Sequence, residues 1–228
     1  MRGAGRRRDP VWCMEQSDLL SAGQPRRALT PAEVRARFAG HAAGLRVSEG
    51  ARGDHLLAGD PLPGRRVPAA VLVGMLDRPD GLTVLLTQRT AHLNDHAGQI
   101  SLPGGRIDPT DPDPVFAALR EAREEVGLPP DHVEVIGRLD TYITGTGFEI
   151  TPVVGLVRAP FVLQLDSFEV AEAFEVPLAF IIDPANHERH MRELRGRMRS
   201  FMVLPYGERY IWGATAAMLV NLAEVLAA

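Results

Sequence analysis

Ser101-Leu102-Pro103-Gly104-Gly105, a loop rich in proline and aspartate, and then Arg120-Glu121-Ala122-Arg123-Glu124-Glu125-Val126-Gly127-Leu128 form the stretch on which the fold and the chemistry turn. Its second half predicts a helix over Val115 to Val126, stopped by Gly127 as a left-handed C-cap. At 100° per residue, Val115, Ala118, Leu119, Ala122 and Val126 make one apolar stripe. Glu121, Glu124 and Glu125 stand at i, i+3 and i+4 and share the neighbouring face, where like charges cost about 0.2–0.5 kcal/mol per pair. Taken alone, such a segment reads either as a solvated, charge-rich helix face or as a seat for a hard divalent cation with oxygen ligands. Arg120, one turn before Glu124, can hold a carboxylate in the rigid fork of its guanidinium. Upstream, Gly104 and Gly105 let backbone approach a ligand closely.

Outward from this core, Val67–Leu76 and Leu82–Thr87 are aliphatic runs joined by Asp77-Arg78-Pro79-Asp80-Gly81, a hairpin pattern. Short strands are expected at 132–139, 140–144 and 148–157, and a second hairpin at 200–204 and 209–212 across Pro205-Tyr206-Gly207. An apolar helix over Thr215–Leu226 closes the chain. Near the start, Thr30-Pro31-Ala32-Glu33 has the form of a helix N-terminus, with the helix reaching about Phe38. Residues 1–30 are expected to be a flexible leader, with Met14 an alternative start. Residues 31–66 are expected to form an N-terminal helix and arm, with a linker over Gly50–Arg66, and 67–228 the main domain. Mixed strands and helices in this order predict an α/β sandwich.

Composition narrows the functions. All 25 basic residues are arginine. Without lysine there is no Schiff base and no Walker-type phosphate loop. A net charge of −4 gives no electrostatic footprint for nucleic acid or an anionic membrane. No apolar run reaches the roughly 20 residues that span a bilayer. The single cysteine, Cys13, excludes an intramolecular disulfide and a cysteine zinc cluster, which suits a reducing, cytoplasmic setting.

Gly105, the acid-bearing loop and Arg120–Leu128 together resemble the Nudix box: glycine, a loop with an acid, then Arg-Glu-aliphatic-x-Glu-Glu-x-Gly-aliphatic. Ala122 stands in for the bulkier aliphatic. The family places a glutamate six residues after its glycine. Here that position is Asp111, and the Arg-Glu pair arrives one residue late, so Asp111 is given no role and its replacement by Asn is expected to matter little. The resemblance implies a Nudix-type α/β/α sandwich with a mixed sheet, and a pyrophosphohydrolase using Mg2+ or Mn2+. Glu121, Glu124, Glu125 and the Gly105 carbonyl would be metal ligands. Glu121 is either ligand or general base, and Arg120 orients a glutamate.

A second run, Leu85-Leu86-Thr87-Gln88-Arg89-Thr90 through His92, Asn94, His96, Gly98, Gln99, Ile100 and Ser101 to Gly105, is similar to the signature of coenzyme A pyrophosphatases within that superfamily. Thr144-Gly145-Thr146-Gly147-Phe148, Glu169-Val170-Ala171-Glu172 and Ile211-Trp212-Gly213 extend the likeness. It implies a small-molecule substrate, CoA or acyl-CoA, cut to 3′,5′-ADP and 4′-phosphopantetheine, with Arg89, Gly104, Thr144, Gly145 and Thr146 at the substrate. Glu169 and Glu172 are candidates for an extra acid, and a homodimer is one possible assembly. Asn94 and Leu102 depart from the signature's arginine and phenylalanine. Asn94 keeps open a second reading, hydrolysis of another nucleoside diphosphate derivative such as ADP-ribose. A third is a non-catalytic binding module of the same fold. His92 and His96 lie in loop with no third soft ligand, which argues against zinc. Trp212 is expected in the core, and His187, His190, Arg192 and Arg195 on a solvated helix face.

Overall fold

The computed structural model describes residues 28–41, 52–58, 62–92, 98–194 and 196–228. In chain order the first elements are α1 (Pro31–Gly40), β1 (Arg52–Gly53), α2 (Asp54–Ala58), β2 (Val67–Arg78), β3 (Gly81–Arg89), β4 (Ile100–Ser101), β5 (Gly104–Arg106) and α3 (Pro114–Val126). They are followed by β6 (Val133–Arg138), β7 (Tyr142–Ile143), β8 (Phe148–Val157), β9 (Val170–Pro177), α4 (Leu178–Ile181), β10 (Glu188–Leu194), β11 (Arg197–Tyr206), β12 (Arg209–Trp212) and α5 (Gly213–Ala227).

The unbroken apolar run from Ala69 to Met75 makes β2 a strand buried on both faces, and such a strand belongs at the centre of a sheet. It pairs in parallel with β8 from Val67↔Phe148 to Leu76↔Val157. On its other side β2 is shared: Met75–Arg78 pairs with β3, while Ala69–Val71 pairs with β5. That division brings Gly104 and Gly105 into the middle of the sheet. β6 and β7 pair with β8, and β4 and β9 pair with β3, giving the mixed sheet that the sequence predicts.

Side-chain alternation along β2 sorts the core into two layers. Leu72 and Leu76 point to α3, where Ala117, Ala118, Ala122 and Val126 meet them. Val71, Val73 and Met75 point the other way, onto Leu219, Leu222 and the Leu204–Ile211 pair of a three-stranded sheet β10-β11-β12. Helices thus cover both faces, and the α/β/α sandwich stands. Among the described residues no helix is long and apolar enough to cross a membrane.

The helix over 31–40 has a full capping box: Glu33 N–H donates to Thr30 Oγ1, and the Glu33 carboxylate accepts from Thr30 N–H at 2.8 Å. Its Val34 and Phe38 enter the same core as α5, and Phe38 occupies the space that a side chain at Gly137 would need.

Two segments differ from the sequence reading, at 52–58 and 188–194, and a third, at 170–177, is given no element there. Residues 52–58, expected within a linker, form β1, which pairs in parallel with β7, and α2. Val170–Pro177 is a full strand paired along β3, although its apolar residues do not alternate cleanly. Glu188–Leu194, expected as a helix face, is an antiparallel strand on β11. Its charged composition gives no strand signal; the long partner strand imposes the conformation. Arg195 lies outside the described residues, as do Asn94, His96, Cys13 and Met14.

Candidate active site

α3 starts at Asp113, whose side chain accepts from Phe116 N–H, and ends on Gly127 at φ 70°. Between these caps the helix lies across β5, and the three glutamates are graded in depth. Glu125 is buried, with 5% of its surface exposed, Glu121 is half-buried and Glu124 is exposed. Glu125 Oε2 accepts from Gly104 N–H at 3.2 Å. Glu121 sits so close to Gly105 that a Cβ there would stand 2.6 Å from its carboxyl carbon. Gly104 has φ 153°, and a Cβ on it would fall 2.4 Å from the Ala70 carbonyl oxygen. The two glycines serve different ends: Gly104 is required by its own backbone, Gly105 by the neighbouring carboxylate.

Arg120 ties the acids together. Its Nη1 donates to Glu121 at 2.9 Å and to Glu124 at 3.0 Å. Nε and Nη2 form a fork on Asp111 at 3.0 and 2.9 Å, and Nη2 also reaches the Arg106 carbonyl at 3.2 Å. Asp111, given no role from the sequence, is therefore the anchor of the arginine. The extra loop residue is taken up in a tight turn. Asp108 Oδ1 accepts from Thr110, and Asp111 Oδ2 accepts from Asp108 N–H at 2.8 Å, which turns the carboxylate toward α3. The fork on Arg120 holds the Asp111 carboxyl below its ordinary range. The sequence signal was present, an acid six residues after the glycine, but the register shift hid it.

Burial pushes Glu125 up to about 7; the Gly104 N–H opposes this, Glu121 and Glu169 add to it, and Arg89 lowers it. Burial also raises Glu121, against the pull of Arg120. Arg89, at the end of β3, stands 3.9 Å from Glu125 and 3.8 Å from Glu169. These are electrostatic approaches, longer than hydrogen bonds. Glu169 is carried there by a strap: Asp166 N–H donates to the Glu125 carbonyl, Thr90 N–H to the Glu169 carbonyl and Thr90 Oγ1 to the Phe168 carbonyl. Phe168 in turn packs on His92, with ring centres 5.0 Å apart.

Glu172 points elsewhere. Arg209 grips it at 2.9 and 2.6 Å while stacking on Phe174, on the sheet face opposite α3. There it borders an open cleft of about 930 Å3 with Gln88, Tyr206, Tyr210 and Trp212. Trp212 is half-buried, edge-on to Phe201. The Thr144–Thr146 turn lies at the start of β8: Thr144 Oγ1 meets Thr146 Oγ1 at 2.9 Å and accepts from Phe148 N–H. Asp54, without any signal in the sequence, holds this turn by accepting from Gly145 N–H at 2.7 Å and from the Tyr142 hydroxyl at 2.5 Å.

Among the described residues no three acids stand together as a ready-made metal centre. Arg120 occupies the space between Glu121 and Glu124. The donor set nonetheless suits a hard cation. Glu125 is a buried carboxylate with one N–H partner and a guanidinium at the edge of contact, and Glu121 and Glu169 crowd it with like charge. Positive charge placed there would relieve all three.

The NUDIX domain family model matches residues 65–192. The uncharacterized Nudix hydrolase NudL of Salmonella paratyphi B is 43% identical over 156 residues, 68% of this chain and 80% of that protein. The NudL of Escherichia coli is 42% identical over the same shares. Among solved structures, a Caenorhabditis elegans Ap4A hydrolase in a binary complex is similar at 23% identity with a TM-score of 0.43, covering 48% of this chain and 80% of that one. With the family pattern over more than half its length, the acid helix in place and relatives matched over most of theirs, the chain belongs to the Nudix hydrolases.

Proposed function

We propose that the enzyme hydrolyses the pyrophosphate bond of coenzyme A or an acyl-coenzyme A, releasing 3′,5′-ADP and 4′-phosphopantetheine or its acyl form, with Mg2+ or Mn2+ bound. The observation that carries the substrate is the signature from Leu85 to Gly105, within which Arg89 and Gly104 both stand against Glu125. Members of the family act on nucleoside diphosphate derivatives with the help of a divalent cation; the choice of CoA is the proposal.

Glu121, Glu124, Glu125 and the Gly105 carbonyl would hold the cation, which when bound neutralises pyrophosphate charge and lowers the pKa of water. Arg120, anchored on Asp111, fixes Glu121 and Glu124 at the distances given above. Arg89 would offer positive charge to a phosphate; Gly104, whose N–H is engaged by Glu125, and the Thr144-Gly145-Thr146 turn, whose Gly145 N–H is held by Asp54, would line the substrate. Water forms one new P–O bond as the bridging P–O bond breaks, and two phosphate monoesters and a proton leave. Glu121 or Glu169 would take that proton in this reading, whereas Glu172 is engaged by Arg209.

Mass spectrometry of products after incubation with Mg2+ or Mn2+ and CoA, and separately ADP-ribose, tests the reading. It predicts 3′,5′-ADP and phosphopantetheine from CoA. Cleavage of ADP-ribose alone replaces it with the second reading, in which Asn94 marks a changed pocket.

A further inference from the structure

We infer that the cleft between the main sheet and the β11–β12 hairpin takes the uncharged arm of the substrate, the pantetheine chain, while the nucleotide arm lies beyond the glycine turn. The inference rests on the reading of CoA as substrate and assigns its two arms.

Strand order sets the direction. β9 runs along one flank of β3, so β4, paired with Thr87 and Gln88, lies on the flank that β3 shares with β2. β5 fills the same gap from the side of β2. Across the sheet the order is therefore β9, β3, β4, β5, β2 and β8. Gly104 and Gly105 stand between the cleft, bordered by Gln88, Ile100 and Glu172, and the Thr144–Gly147 turn that leads into β8. A pyrophosphate held at the glycine turn has one arm on each side.

Chemistry separates the arms. At about 930 Å3 the cleft has the size of a small-molecule site. Its charged groups are two carboxylates, Glu172 and Glu208, and one guanidinium, Arg209, which Glu172 already engages through both Nη atoms. That balance repels a phosphate dianion. The remaining polar groups are uncharged. Gln88 spends its amide nitrogen on the Gly98 carbonyl at 3.4 Å. Its amide oxygen, the Tyr206 hydroxyl and the Trp212 indole N–H make no hydrogen bond among the described residues. An acceptor, a hydroxyl and a donor beside Ile100 and aromatic rings suit a chain of amides, a hydroxyl and methyl groups. Beyond the glycine turn, Arg106 reaches across β2 and lies 5.6 Å over the Phe148 ring. Its guanidinium has no carboxylate partner among the described residues, which suits the adenosine and its 3′-phosphate.

Tryptophan emission tests this without turnover. The chain has two tryptophans, so in Trp12→Phe the signal comes from Trp212 alone. With Mg2+ present, pantetheine should change that emission saturably in the millimolar range usual for a fragment of a substrate, and 3′,5′-ADP at the same concentrations should not. Gln88→Ala removes the amide acceptor and should weaken the pantetheine response about 3–10-fold, with KM for CoA raised by the same factor. Two results would overturn the inference and leave the reaction standing: cleavage of CoA by a chain whose emission pantetheine does not change, or an emission change caused by 3′,5′-ADP in place of pantetheine. Pantetheine binding without cleavage of CoA would overturn the reaction and keep the ligand of the cleft. Absence of both would overturn the two together.

Discussion

Replacing Gly105 by alanine separates the chemistry of this site from its stability. The backbone of Gly105 lies outside the left-handed region, so alanine adopts it without strain. Its Cβ, however, would stand 2.6 Å from the Glu121 carboxyl carbon and 2.7 Å from both oxygens, where ordinary contact begins at 3.4 Å. The carboxylate must retreat by about 0.8 Å, which a flexible glutamate end does at small energetic cost. A displacement of that size in a positioned catalytic group lowers turnover about 100-fold. Gly104→Ala should behave in the opposite sense. Its φ of 153° and the 2.4 Å approach to the Ala70 carbonyl load strain onto β2 and β5. The positive φ alone costs about 1–3 kcal/mol, so Tm falls. Thermal denaturation beside steady-state hydrolysis, on both variants, is the assay. If Gly105→Ala keeps wild-type turnover, Glu121 is not a working group of the site; if it unfolds the protein, the packing described here is wrong.

Glu124→Gln removes a full ligand charge while keeping shape, and turnover should drop at least about 100-fold without a change in melting. Asp111→Asn deprives Arg120 of its charged fork. A supporting change of this kind costs about 10–100-fold in activity or metal affinity, measurable as kcat and as the Mn2+ concentration for half-maximal rate. Away from the site, Arg78 and then Thr83 hold the Glu175 carboxyl below its ordinary range. A carboxyl depressed in the folded state contributes stability above its unfolded value, about 4.3, and loses it as pH falls through the folded value. Because both partners are partly exposed, the loss is at most about 1 kcal/mol. Tm of Glu175→Gln should accordingly fall below wild type at neutral pH, and the gap should close below about pH 4.

The parts of the fold legible in the sequence are those that local chemistry determines. α3 announces itself by its stripe and Gly127, α1 by the Thr30–Glu33 box, and β2 with β3 by an apolar run broken at Asp77–Gly81. The three glutamates at helical spacing were equally plain, but that segment alone reads as well as a solvated helix face; the glycine turn upstream and the family resemblance decided between the two readings. What the sequence hid depends on pairing at a distance. β10 is a charged segment made into a strand by β11, and β9 owes its form to β3. Asp54 gains its place only because β1 docks on β7 and turns the next residue toward Gly145. Asp111 was masked by one additional loop residue, which the Asp108–Asp111 turn absorbs. Depth was also invisible: nothing in the spacing of Glu121, Glu124 and Glu125 says that Glu125 alone is buried, yet that burial pushes it up to about 7.

Hydrolysis in oxygen-18 water, with products weighed by mass spectrometry in the presence of Mn2+ and again after chelation, addresses the central claim most directly. The account predicts one oxygen-18 atom in one of the two phosphate products from CoA, and no turnover once the cation is removed. Products without the label, or cleavage that survives chelation, would contradict it.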